Sequence, residues 1–286
     1  MAADLPVLPF TLVLEAVNAA LREDLGTAGD ITSAATIPAG AAATATFGAR
    51  KPGVLSGLPL AEAAFAAVDP AIRLTALLHD GDPLTTGAIA ARVEGPARGI
   101  LAAERVALNY LCHLSGIATA TAAFVARVAH TKAKILDTRK TTPGLRAFEK
   151  YAVRCGGGMN HRFGLDDAIL IKDNHIAVAG GVAEAIRAAR HAAPGVSIEV
   201  EVGTLAELEA AMAERPDIVL LDNMSPKDMR AAVTLVAGRA LLEASGNISL
   251  ETVSTVAETG VDRISSGWIT HSAPALDLGL DVVVGP

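Results

Sequence analysis

Cysteine is scarce in this sequence: Cys112 and Cys155 are the two present in 286 residues, and they do not form a C-x-x-C pair. Such spacing gives no thiolate pair for a zinc site or a dithiol redox centre. The low count, with no charged-then-apolar leader at the N-terminus, fits a reducing, cytoplasmic setting. Positive charge is also in deficit, the formal net charge being −7. A general nucleic-acid binder needs a basic face to neutralise phosphates, so nucleic acid is not an expected partner and any polyanion site must be local. A G-x-G-x-x-G loop after a strand is missing as well; the Gly156-Gly157-Gly158 run lacks that spacing. From Val106 to Ala126 no side chain is formally charged, about the length of a bilayer crossing. That run contains Asn109, His113, Ser115, Gly116 and an Ala/Thr alternation, so a buried helix or helix pair is expected and no membrane partner.

What is present is ample apolar sequence, 51% hydrophobic against 19% charged, enough for one large α/β domain or two modest ones. The first part of the chain is mixed. It reads as a helix over Thr11 to Asp24, a turn-rich stretch through Gly26, Gly29 and Asp30, strand-like alternation from Ala43 to Arg50 and a helix around Leu60 to Val68. Short strands follow near Ile72 to Leu78 and Ala88 to Val93. From Thr131 the rhythm becomes regular. Candidate strands Lys134–Asp137, Ala168–Ile171, Ser197–Val202, Ile218–Leu221, Ala240–Glu243 and Arg263–Ser265 alternate with alanine-rich helices such as Val182–His191, Leu205–Glu214 and Pro226–Leu235. Periodicity alone does not separate a barrel from an open doubly wound sheet; the barrel is the preferred expectation.

In a barrel the chemistry gathers at the C-terminal ends of the strands. Those ends carry Thr138, Arg139 and Lys140; Lys172; Glu201; Asp222; the Ser245-Gly246-Asn247 turn; and the Ser266-Gly267 turn. From Lys132 to Lys172 nine lysines and arginines face four acidic residues, a local excess of +5 in an acidic protein. Arg146, Lys150 and Arg154 recur at helical spacing and read as a solvated helix face. Arg139, Lys140 and Lys172, at strand ends, would repel one another in a shared cavity unless an anion joined them. Together with Arg162 they suit a dianion, arginine forks matching carboxylates and phosphates and lysines acting as point charges. The plainer alternative is internal pairing with Asp166 and Asp167.

Glu199 and Glu201 fall on one face of their strand, which brings at least one carboxylate inward. Glu201 and Asp222 beside a phosphate-rich ligand suit Mg²⁺, which takes few protein ligands; pairing with Lys140 and Lys172 explains them equally well. The two Ser-Gly turns each precede a helix, so they are candidate phosphate receivers, although such turns are common. His161, next to Arg162, is expected to hydrogen-bond an anionic ligand or the cations' backbone rather than pair with His175 on a metal.

These residues also fall in longer runs: Asp-Thr-Arg-Lys-Thr-Thr-Pro-Gly-Leu-Arg from Asp137, Glu-Lys-Tyr-Ala-Val-Arg-Cys-Gly-Gly-Gly-Met-Asn-His-Arg-Phe-Gly-Leu from Glu149 and Ile-Lys-Asp-Asn-His from Ile171. With Glu23–Gly26, Gly29–Thr32, Glu104-Arg105, His113–Thr119, Leu221–Asn223 and Glu243–Ile248, the sequence resembles quinolinate phosphoribosyltransferase, the carboxylating nicotinate-nucleotide pyrophosphorylase, over nearly its whole length. The resemblance implies an N-terminal α/β sandwich domain over residues 1–114, with 273–286 packing back on it, and an α/β barrel of the type II phosphoribosyltransferase kind over 115–272. It further implies a homodimer with shared active sites, in which Arg105 of one subunit reaches the other's barrel. There it joins Thr138, Arg139, Lys140, His161, Arg162 and Lys172 around quinolinate. Whether dimers join into a higher oligomer is left open by the sequence.

On the same grounds Glu201 and Asp222 hold Mg²⁺ with phosphoribosyl pyrophosphate, directly or through water. Ser245, Gly246, Asn247, Ser266 and Gly267 receive its 5′-phosphate, and Lys140, Glu201 and Asp222 are the expected catalytic groups. The reaction implied gives nicotinate mononucleotide, pyrophosphate and CO₂ in NAD biosynthesis. Rival readings are a phosphoribosyltransferase for a monocarboxylate such as nicotinate, a Schiff-base aldolase using Lys172, and a silent anion-binding paralogue.

Overall fold

Along Ala42–Ala49 every second side chain is buried through Ala43, Ala45 and Phe47, the period-2 pattern of a half-covered sheet. The computed structural model describes residues 5–284, and this strand is central to the first of its two units, which comprises Met1–Ala122, Ala147–Gly157 and Ala273–Pro286. Its antiparallel sheet runs in the order Leu278–Val284, Ala42–Ala49, Ile89–Pro96, Arg73–Ala76. Helices Phe10–Leu25 and Leu58–Val68 belong to the same unit, and Phe65 of the second sets its ring 6.0 Å from that of Phe47. Both rings are buried, each worth about 1.5–3 kcal/mol of transfer free energy.

The uncharged run read from the sequence lies within one helix, Ala97–Val128, not a pair. It is long and apolar enough to cross a membrane, but 56% of its most apolar window is buried inside the protein. A Cβ at Gly116 would overlap the Pro274 carbonyl oxygen, so the chain passes too close there for any side chain.

The second unit comprises Ala123–Arg146 and Gly158–Ser272. By compactness, residues 115–122 and 147–157 thus go with the first unit, where the sequence division had placed them with the barrel. The six parallel strands lie in the order Lys134–Leu136, Arg263–Ser265, Leu241–Ser245, Ile218–Asp222, Ile198–Val202, Ile169–Ile171. The last strand in sequence pairs with the first and the others follow in succession, which is the cyclic order of a barrel. A doubly wound sheet would reverse direction midway. One seam is left, between Lys134–Leu136 and Ile169–Ile171, where Met159 forms an isolated parallel bridge with Leu136.

Local chemistry explains where the helices between strands begin. Thr204 and Glu207 form a reciprocal capping box at Leu205–Ala213, and Ser225 caps Pro226–Val236 with proline in its first turn. Register then aligns the strand ends: Ile171 lies opposite Val200, which sets Lys172 beside Glu201, and Asp222 lies opposite Ser245.

Arg146–Cys155 is helical as its spacing predicts, but it is not a solvated face. Lys150 is buried and Arg146 and Arg154 are half-buried. Arg146 donates to the Phe163 and Arg139 carbonyl oxygens and to Thr141 Oγ1, so its charge closes loops rather than meeting water.

Candidate active site

Two cavities open at the strand ends of the second unit, about 440 and 480 Å³ in volume. They share Thr138, Lys140, Ser245, Gly246, Asn247 and Ser265. The first is walled by Arg139, His161, Arg162, Lys172, Glu201, Asp222 and Glu243. The second continues past Ser266 and Gly267 to Phe124, Trp268 and His271.

The cations are held without carboxylate forks. Arg139 Nε is buried with no hydrogen-bond partner among the described residues. Arg162 donates through Nη1 to the Ala168 carbonyl oxygen at 3.2 Å. Burial, reinforced by the charge of Arg139, holds the Arg162 guanidinium below its usual range, with Glu199 and Asp167 opposing. The pairing expected as the plainer alternative does not occur among the described residues. Asp167 instead accepts the backbone N–H groups of Phe163 and Gly164 and folds their turn. Lys140, exposed, lays its aliphatic chain over Gly267, where a Cβ would stand 2.8 Å from Lys140 Cδ. Its backbone N–H donates to Thr138 Oγ1 at 3.0 Å.

Lys172 Nζ donates to Glu201 Oε2 at 2.8 Å, so the pairing alternative holds for that carboxylate. Asp222 accepts from Asn223 Nδ2 at 3.0 Å and makes no ion pair among the described residues. Gly246 has φ +99°, and a Cβ there would overlap the Asn223 amide, so only glycine lets the turn pass over it. Asn247 also stands in the left-handed region, at φ 50°, a conformation asparagine tolerates better than most residues.

His161 is bound on every side the sequence left open. Its backbone N–H donates to Asp137 Oδ1 at 2.9 Å, and its Nδ1 accepts the Arg162 N–H at 2.8 Å. Nε2 lies 2.9 Å from Glu199 Oε2 and 3.6 Å from Glu243 Oε1. His175 is occupied separately, accepting the Lys172 N–H at its own Nδ1. Sequence reasoning missed Glu243 as part of the site. The signal was an acidic residue between apolar neighbours in Leu-Leu-Glu-Ala-Ser, a strand whose interior is otherwise apolar.

Arg105 belongs to the other unit. It is exposed on helix Ala97–Val128 in the first unit and is not among the residues lining either cavity.

A parallel α/β barrel with two joined cavities at its strand ends, one walled by Arg139, Arg162 and Lys172 and the other by serine- and glycine-bearing turns, has the arrangement of a barrel enzyme with a compound site. The family description "Quinolinate phosphoribosyl transferase, C-terminal domain" matches residues 117–281, and its N-terminal counterpart matches residues 30–115. The chain is 48% identical over 278 residues to the nicotinate-nucleotide pyrophosphorylase [carboxylating] of Mycobacterium leprae, covering 96% of this chain and 98% of that protein. It superposes on NadC from Streptococcus pyogenes with a TM-score of 0.94 at 44% identity, covering 98% and 100% of the two chains. The nicotinate-nucleotide pyrophosphorylase from Francisella tularensis gives the same TM-score at 43% identity, over 97% and 98%. This chain belongs to the quinolinate phosphoribosyltransferase family.

Proposed function

We propose that this chain transfers the phosphoribosyl group of phosphoribosyl pyrophosphate to quinolinate with decarboxylation, giving nicotinate mononucleotide, pyrophosphate and CO₂ in de novo NAD biosynthesis. Membership of the family carries the reaction. The observation that fits it to this site is the pair Arg139 and Arg162, which line one cavity and, among the described residues, form no ion pair, Arg139 Nε being buried without a hydrogen bond. Such a pair is stabilised by a ligand that brings two negative charges. A monocarboxylate leaves one of them uncompensated. The aldolase alternative conflicts with Lys172, whose ammonium is ion-paired to Glu201 and so is not a free amine nucleophile.

In this reading Arg139, Arg162 and Lys172 orient the pyridine dicarboxylate, and the Ser245–Asn247 and Ser266-Gly267 turns seat the 5′-phosphate in the adjoining compartment. Lys140, which lines both, lies where the two substrates meet. The ring nitrogen forms its bond to C1′ as the bond from C1′ to pyrophosphate breaks, and cationic side chains stabilise the charge that develops. The positive charge on the alkylated nitrogen then stabilises, as an ylide, the electron pair left on the neighbouring ring carbon when its carboxylate departs as CO₂, and that pair takes up a proton. Lys140 is assigned to that proton transfer.

The donor set fits Mg²⁺: Glu201 and Asp222 present hard oxygen ligands at the ends of paired strands in one cavity. Bound there, directly or through water, the ion supplies charge for the pyrophosphate leaving group. A homodimer completes the site in this proposal, Arg105 of one subunit facing the partner's barrel, in a cytoplasmic enzyme. Mixing Arg105→Ala with Lys172→Ala chains tests it: mixed dimers regain part of the activity if sites are shared and none if they are not. Turnover of quinolinate, with nicotinate inert, tests the substrate assignment; nicotinate used equally well contradicts it.

A further inference from the structure

Which nitrogen of His161 is available decides how it serves the site. Because the Arg162 N–H donates to Nδ1, that nitrogen offers its lone pair and the ring proton lies on Nε2. Nε2–H is directed at Glu199 Oε2, 2.9 Å away, with Glu243 Oε1 at 3.6 Å behind it. Both ring nitrogens are therefore committed to the protein. The spacing of His161, Glu199 and Glu243 is also that of a metal trio. A protonated Nε2 has no lone pair for a cation, however, so the hydrogen-bond pattern selects against a metal.

The backbone at 160–162 is held from the opposite side too, by Asp137, which accepts the His161 N–H and the Asn160 amide. Glu199 and Glu243 are buried on the two strands that flank Ile218–Asp222, and among the described residues Glu199 Oε1 and both Glu243 oxygens lack a hydrogen bond of good geometry, although Ser265 approaches Glu243. Two buried acids of this kind are costly to fold. They stand against a histidine whose other nitrogen grips the residue that carries a pocket guanidinium.

We infer that Glu199 is a positioning residue, backed by Glu243: through the His161 ring it clamps the Arg162 backbone and so aims the Arg162 guanidinium into the quinolinate compartment. The inference rests on the proposed role of Arg162 as a quinolinate ligand. It assigns His161 to orientation rather than to substrate contact through its ring.

Steady-state kinetics of the full-length enzyme, with each substrate varied in turn, test this in Glu199→Leu, Glu199→Gln and Arg162→Ala. Glu199→Leu is expected to raise the quinolinate KM about tenfold while the phosphoribosyl pyrophosphate KM stays within about twofold, the size of one lost buried hydrogen bond. Glu199→Gln still accepts from Nε2–H and is expected to return the quinolinate KM to within about threefold of the parent, as an uncharged acceptor allows. An unchanged quinolinate KM in Glu199→Leu, with a raised one in Arg162→Ala, overturns the clamp alone. Unchanged values in both overturn the pocket assignment with it. Equal rises for both substrates mark a general structural defect and also overturn the clamp. Should Glu199→Leu fail to fold, ¹⁵N-histidine NMR of the parent enzyme decides. The account requires an Nε2–H tautomer that persists when quinolinate binds, and a ring that changes tautomer on binding contradicts it.

Discussion

Two buried polar clusters, one in each unit, differ in how completely they are satisfied. In the first unit Asp80 accepts the backbone N–H groups of Gly57 and Leu58 at 3.0 and 3.2 Å and the Tyr151 hydroxyl at 2.9 Å. Ser56 donates to Cys155 Sγ beside them. In the second unit Glu199 Oε1 and both Glu243 oxygens lack a hydrogen bond of good geometry among the described residues, Ser265 being the polar side chain that approaches Glu243, and Glu243 lines a cavity. A satisfied network gives its energy to the fold; an unsatisfied one that borders a cavity is a cost retained where function uses it. Burial raises the Asp80 carboxyl, with the Gly57 and Leu58 N–H groups and the Tyr151 hydroxyl opposing it. Burial pushes the Cys155 thiol up to about 12, leaving it inert at neutral pH. Burial and the neighbouring Glu199 raise Glu243 well above the ordinary carboxylate range, opposed in part by His161.

The comparison breaks first at Arg139. Replacing it with alanine removes a pocket guanidinium whose buried Nε has no hydrogen-bond partner among the described residues, so kcat/KM for quinolinate should fall by about 10²- to 10³-fold, with the midpoint of urea unfolding unchanged or raised. A loss of stability would place Arg139 with the structural cluster instead. Asp80→Ala should do the reverse, costing about 2–3 kcal/mol in urea unfolding through three orphaned donors, with kinetics per folded molecule unaltered.

A smaller effect is expected in pH dependence. A carboxyl whose folded pKa is raised binds its proton more tightly in the native state, so stability falls as pH climbs from the unfolded value toward the folded one. Glu243→Gln should flatten that decline above about pH 4.5, where the slope from one group is at most about 1.4 kcal/mol per pH unit. Thermal unfolding across pH 4 to 8 measures it, and an unchanged slope would show Glu243 ionised throughout. The smallest change is Tyr151→Phe, which removes one of the three donors to Asp80. It should cost about 1 kcal/mol, read in the same urea titrations; a kinetic effect there would blur the distinction between the clusters.

The barrel and its working end were readable because strand ends declare themselves: apolar runs stop at Arg139-Lys140, Lys172, Glu201 and Asp222, and parallel register then gathers them. Other features depend on partners distant in sequence. The strand Leu278–Val284 is defined by pairing with Ala42–Ala49, and the burial of Lys150 turns on tertiary packing that helical spacing does not report. Helix Ile31–Thr36, which the sequence reading did not assign, follows directly on the turn-rich stretch through Asp30; Asp30, which caps it through Ser33, was its signal. The hydrogen bonds of His161 were legible only as alternatives, since they depend on where the Arg162 N–H and Glu199 fall around its ring.

The central claim is that this site joins phosphoribosyl transfer to loss of a carboxylate. Its most direct test is the ratio of labelled CO₂ to pyrophosphate released from quinolinate labelled in the carboxyl beside the ring nitrogen. One CO₂ for each pyrophosphate is the predicted result; pyrophosphate released without CO₂ would contradict it.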